Sequence, residues 1–143
     1  MSGTNMLSGQ IKKRTAQVQK AFDEIKKLDE NELSHLYELV SLHNKLLFLV
    51  GDLEAEAKFE RDEAYRERKR VDAEIKLKTN GTGVVKESTA ELAIQEYRMT
   101  EHEADRVYTR FRNQYKAIDH RLIDYRQKRN KLEHELSTVN DKG

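Results

Sequence analysis

The sequence predicts an all-α protein: a short N-terminal helix plus a long antiparallel helical hairpin of coiled-coil type. Three observations carry that expectation. Of 143 residues, 27 are Lys or Arg and 26 are Asp or Glu, so charged residues (37%) slightly outnumber hydrophobic ones (36%). Such a composition suits either a disordered chain or long solvated helices. Proline is absent and glycine occurs only six times, so little interrupts a helix. Apolar side chains recur in steps of three and four, the period of one helix face, which a disordered chain does not maintain.

The elements follow in order. Residues 1–8 are small and polar, and a disordered N-terminus is expected there. Ile11, Val18, Phe22 and Ile25, with Thr15 in the gap, mark a first helix over about 9–28. Asp29 stands three residues before Glu32 and just ahead of Leu33, Leu36, Leu39 and Val40. That is a capping-box arrangement, in which each side chain can satisfy the other's free backbone N–H. A second helix over about 30–78 follows, supported by the i,i+4 pairs Glu54–Lys58, Asp62–Arg66, Asp72–Lys76 and Glu74–Lys78. The breaker cluster Thr79-Asn80-Gly81-Thr82-Gly83 opens a tip loop over about 79–86.

Ser88 and Glu91 form a second capping box. A stripe then runs through Ala93, Tyr97, Thr100, Ala104, Val107, Phe111, Gln114, Ile118, Leu122, Tyr125, Arg129, Leu132, Leu136 and Val139. It predicts a third helix over about 87–138, with a stutter near Ile118 and a loose tail over about 139–143. Residues 9–138 then form one helical-hairpin domain, its long helices each roughly 70 Å in length. With the loop centred near Gly81–Thr82, residues whose numbers total about 163 face each other. Leu36–Leu53 then meet residues 110–127, and His43 meets His120.

The stretch from Leu36 to Leu53 is apolar almost all round, more than one partner helix can cover. The first helix covers a second face, and other subunits are expected to cover the rest. A homo-oligomer follows, with Leu36, Leu39, Val40, Leu46, Leu47 and Val50 at its interface. Beyond Leu53 the seam narrows to Ala57, Ala64, Val71 and Ile75.

Several function classes are excluded. Without cysteine there is no disulfide framework and no thiolate metal site. The longest apolar run, Leu46 to Val50, is too short to span a membrane. No secretory signal is evident, so a cytoplasmic location is expected, in the host cytoplasm if the chain is phage-encoded. Histidines stand at 35, 43, 102, 120 and 134. His43 and His120 share a layer of the expected hairpin, but no carboxylate joins them, so a polar layer is expected rather than a metal site. Tyr97, Tyr108, Phe111, Tyr115 and Tyr125 fall mostly at stripe spacing and read as core. No nucleophile–base pair or carboxylate dyad stands out, so no catalytic residue, metal or cofactor is assigned and a non-enzyme is expected.

The near-balance of charge conceals blocks. Residues 29–63 hold three bases and ten acids, residues 64–86 seven bases and three acids, residues 87–105 one base and six acids, and residues 106–131 nine bases and two acids. The acidic 29–63 block lies opposite the basic 106–131 block in the expected hairpin, where complementary charge can set register. The 64–86 block is less well matched. Arg66, Arg68, Lys69, Arg70, Lys76, Lys78 and Lys86 crowd the tip beside Tyr65, a combination that suits the phosphates and bases of a single strand. A solvated, salt-bridged helix face explains the same residues.

The stretch Gly81-Thr82-Gly83-Val84-Val85-Lys86-Glu87-Ser88-Thr89-Ala90-Glu91-Leu92 resembles the Gly-containing tip and following helix of small phage proteins of this size. Together with Leu42-His43-Asn44-Lys45, Leu53-Glu54-Ala55 and the basic helix end, the layout over about 35–130 resembles the UvsY-like phage recombination mediators. That resemblance implies a ring-like oligomer that binds single-stranded DNA and helps a RecA-type recombinase replace a single-strand-binding protein. It carries DNA contact onto Lys76 and Lys78, and by extension onto Arg66, Arg68, Lys69 and Arg70. Two other functions suit a charged hairpin: a protein-binding inhibitor of a host defence or repair complex, and a structural coiled-coil assembly factor.

Overall fold

The computed structural model describes the backbone of residues 2–142 and the side chains of residues 9–139. Among these residues the chain forms four helices and no strand: α1 (Ser2–Ile25), α2 (Leu33–Lys78), α3 (Gly83–Ala93) and α4 (Gln95–Lys142). The protein is all-α. The backbone of α1 begins at Ser2, within the stretch expected to be disordered, and α4 continues through most of the expected tail. The side chains of 2–8 and 140–142 lie outside the described residues.

Two boundaries differ from expectation for local reasons. Asp29 builds no capping box. Its carboxylate accepts from the Asn31 N–H at 2.9 Å, and its own N–H donates to His35 Nδ1 at 2.9 Å. A short Asp side chain competes for the N–H two residues on, which favours a turn over a cap. Consequently α2 begins at Leu33, with the Leu36 N–H donating to the Glu32 carbonyl at 3.0 Å.

At the tip, Thr82 caps α3, its hydroxyl accepting from the Val85 N–H at 3.4 Å. Ser88 therefore lies inside a helix rather than at its start, and the loop is shorter than expected. Gly81, at φ 125°, makes the reversal, with the Val85 side chain 3.3 Å from where a Cβ would stand. The expected third helix is divided at Ile94 (φ −94°, ψ 3°). Hydrogen bonds from Ile94 N–H to Ala90 O (3.0 Å) and Arg98 N–H to Ile94 O (2.9 Å) carry the chain across the break. Arg98 spans it with a forked pair to Glu91 at 2.6 and 3.2 Å, which raises the Arg98 pKa.

The chain divides into two compact units: Met1–Leu53 with Arg112–Gly143, and Glu54–Phe111. In the first unit, buried side chains come from all three helices: Val18 and Ala21 of α1, Leu36 through Leu53 of α2, and Ile118 and Leu122 of α4. The buried positions of α2 (Leu36, Leu39, Val40, Leu42, His43, Leu46, Leu49, Val50 and Leu53) cover about half the helix circumference. Two neighbouring helices suffice for that width. The expected subunit interface is therefore corrected: Leu36, Leu39, Val40, Leu46 and Val50 are buried within one chain, and Leu47 is half-buried. Phe48, 71% exposed, and Tyr37, 51% exposed, are the large apolar residues of this stretch left outside.

In that unit α2 and α4 run antiparallel. Gly51 faces Tyr115, Asn44 accepts from Arg126 at 3.0 Å, and His43 meets Tyr125. The partners stand about one to two helical turns further along α4 than the expected register. His43 is consequently buried against Tyr125, while His120 is exposed, so the expected histidine layer does not form.

In the second unit Ala57 and Val71 of the expected seam are buried and Ala64 and Ile75 half-buried, and Ala90 and Ile94 complete the narrow core. Polar contacts reinforce it. The Arg61 guanidinium lies 4.2 Å from the Tyr108 ring centroid and 3.9 Å from Asp105, and Arg68 pairs with Glu101. Around the break, the inward positions are Ala90 and Ile94, whereas Ala93 and Thr100 of the expected stripe are exposed.

Candidate nucleic-acid interface

The tip residues are more fully paired than their sequence neighbourhood suggests. Arg66 meets Glu63 at 2.5 Å, Arg70 meets both Glu67 and Glu74 at 2.5 Å, and Lys76 meets Asp72 at 3.1 Å. These partners are on α2 itself, at i,i+3 and i,i+4 spacing, not on the opposite helix. Arg70, held between two carboxylates, has its pKa raised, and its hydrogen bonds lower that of Glu67. Arg68 is largely covered and pairs with Glu101. Tyr65 is flanked by Arg68 at 5.3 Å and Lys69 at 5.6 Å, so its ring already carries two cations. Of the seven expected contact residues, Lys69, Lys78 and Lys86 have no carboxylate within 4.0 Å among the described residues.

The basic 106–131 block behaves differently. Its expected neutralisation by the acidic 29–63 block is slight: among the described residues one ion pair joins them, Lys128–Glu30 at 3.2 Å. Asp52 is instead engaged by Arg14 of α1 at 3.6 Å, and Asp62 and Glu63 pair with Arg61 and Arg66 of their own helix. Within α4, Arg106 pairs with Glu103 at 3.3 Å. Arg121 lies 5.9 Å from the Phe22 ring centroid and Arg129 5.4 Å from that of Tyr37, both without a carboxylate.

Helix geometry places part of this block in one outward row within the first unit. Ile118 and Leu122 point to the core. Lys116 and His120 each precede one of them by two residues, about 200° around the helix. Arg112, Lys116, His120, Ile123, Gln127 and Lys131 recur every three or four residues along that outer face, and all are exposed. Arg126 flanks the row and has one guanidinium nitrogen on Asn44. No carboxylate lies within 4.0 Å of Arg112, Lys116, Arg126 or Lys131 among the described residues. The sequence reveals the block, but its charge balance points to pairing across the hairpin rather than to a free surface. The spacing of Arg112, Lys116 and His120, set against that of Ile118 and Leu122, is the signal that marks the outer row.

Among the described residues no helix is long and apolar enough to cross a membrane, and no group of three or more His, Asp or Glu is placed to hold a metal ion. No family model, curated protein or solved structure matches the chain.

Proposed function

We propose that this protein is a nucleic-acid-binding accessory protein that holds single-stranded DNA along the outward row of α4. The observation that supports this most is the set Arg112, Lys116 and Lys131, exposed and without a carboxylate partner on the face of α4 opposite the core, with Arg126 at its flank. Cations without carboxylate partners release condensed counterions when they meet phosphates, the main source of affinity for a nucleic-acid backbone. His120, Gln127 and Asn130 on or beside the row add hydrogen-bonding groups that tolerate any base. In the second unit Lys69, Lys78 and Lys86 are likewise without a carboxylate partner, whereas Arg66, Arg70 and Lys76 are held by theirs.

The resemblance to UvsY-like mediators supports recombination as the setting, where the protein assists a RecA-type recombinase in displacing a single-strand-binding protein. A fluorescent oligo(dT) titration, competed with unlabelled single strand or duplex, tests the binding. Tight binding at low salt, displaced preferentially by single strand, supports the reading. No binding by the parent protein at low salt rejects it.

A further inference from the structure

The second unit carries an apolar feature that DNA binding leaves unexplained. Val85, Leu92 and Met99 follow one another at intervals of seven, the repeat of a coiled-coil seam, and Val107 comes eight further on. They are 47%, 72%, 72% and 36% exposed, Val85 and Leu92 on α3 and Met99 and Val107 on α4, either side of buried Ile94. Beside Met99 and Val107 runs a groove of about 470 Å³ lined by Glu60, Met99, Thr100, Glu103, Ala104 and Val107. Its lining includes two carboxylates, Glu60 of α2 and Glu103 of α4, the latter paired with Arg106 at 3.3 Å. Glu96 lies along the same outer face, exposed, with no base within 4.0 Å among the described residues.

We propose that this seam is a docking face for a basic amphipathic helix of a partner protein. Its apolar side chains would cover Leu92, Met99 and Val107, and its flanking Lys or Arg would meet Glu60 and Glu96, Glu103 being held by Arg106. Charge complementarity selects that occupant. A second copy laid antiparallel along the seam about its centre would bring the two Glu96 side chains towards each other, and an acidic helix would oppose Glu60 and Glu96. Nucleic acid is repelled by the same groups, so the seam and the α4 row serve different ligands. The inference stands apart from the DNA-binding reading, since it uses none of the same residues.

The test uses the full chain and two synthetic helical peptides. Both have leucine at heptad spacing; one is flanked by lysine and the other by glutamate. Fluorescence anisotropy should show binding of the lysine peptide alone. Met99→Ser with Val107→Ser should weaken that binding about tenfold or more, and Glu60→Lys with Glu96→Lys should shift preference to the glutamate peptide. Unchanged helicity by circular dichroism shows that these exposed substitutions leave the fold intact. Equal binding of the two peptides, or binding indifferent to the serine pair, overturns the proposal. So does an oligomer of the parent that Leu92→Ser dissociates, which assigns the seam to a second copy.

Discussion

His43 and Tyr125 meet edge to face in the first unit, their ring centroids 4.9 Å apart and their planes inclined at 60°. The histidine is fully buried, and its Nδ1 donates to the Leu39 carbonyl at 2.7 Å. Its Nε2 has no hydrogen-bond partner, and desolvation, aided by the charge of Arg121, lowers its pKa against the opposing effect of the Leu39 bond. The unfolded chain therefore binds a proton before the folded one does. Stability should be unaffected by this group above its ordinary pKa of 6.5 and fall as pH drops below it, by up to about 1.4 kcal/mol per pH unit until the folded histidine also protonates. Urea unfolding at pH 7.5 and 5.5 should show a smaller loss for His43→Gln than for the parent. An equal loss in both would place the pH sensitivity elsewhere.

The apolar stretch of α2 is core rather than subunit interface. Leu46→Ala should cost about 2–5 kcal/mol in denaturant unfolding, because a fully buried leucine leaves a cavity when truncated. The solution mass of the folded variant should equal that of the parent. A mass that drops on substitution at nearly constant stability would instead assign Leu46 to a contact between copies.

Most of the helical architecture is legible in the sequence because periodicity and composition act over many residues. Val18, Leu36, Ile118 and Leu122 stand where their spacing puts them. What the sequence obscures depends on competition between near-equal local choices. Thr82 and Ser88 are both good caps, and the turn at Gly81 selects Thr82. Asp29 can cap or form a turn, and it forms a turn. The register also differs from one counted symmetrically about the tip, because the chain after the tip is divided at Ile94 rather than continuous, and Tyr125 instead of His120 stands beside His43. The charge blocks mislead for a related reason. Arg66, Arg70 and Lys76 have acids three or four residues away, which are nearer than any acid across the hairpin. Pairing on one's own helix then leaves much of the α4 block without acids.

Gly81 should tolerate no side chain. Its φ of 125° is costly for any L residue, and a Cβ would stand 3.3 Å from Val85. Gly81→Ala should lower stability by at least about 1–2 kcal/mol, read from thermal or urea unfolding. Gly83, with open space around its Cβ position, should accept alanine with little effect or a small gain. Equal responses at the two glycines would mean that the turn relaxes without cost.

Arg68 and Glu101 are the most covered ion pair of the second unit, with side chains 12% and 24% exposed. Removing either alone leaves a partly desolvated charge without its partner. Arg68→Ala and Glu101→Ala should each destabilise more than Arg66→Ala, whose pair with Glu63 is largely in water. A double-mutant cycle on Arg68 and Glu101 should give a coupling energy larger than that for Arg66 and Glu63. Equal coupling would mean that burial adds nothing to the inner pair.

Binding along the α4 row is decided by the salt dependence of oligo(dT) affinity, measured for the parent, for Arg112→Ala with Lys116→Ala, and for Lys76→Ala with Lys78→Ala. Removing one cation that neutralises a phosphate should reduce the slope of log K against log salt by about 0.7. The α4 pair should therefore flatten it by about 1.4, and the tip pair by less, because Lys76 is already held by Asp72. A parent slope left unchanged by the α4 substitutions, or a larger flattening from the tip pair, would contradict binding along the α4 row.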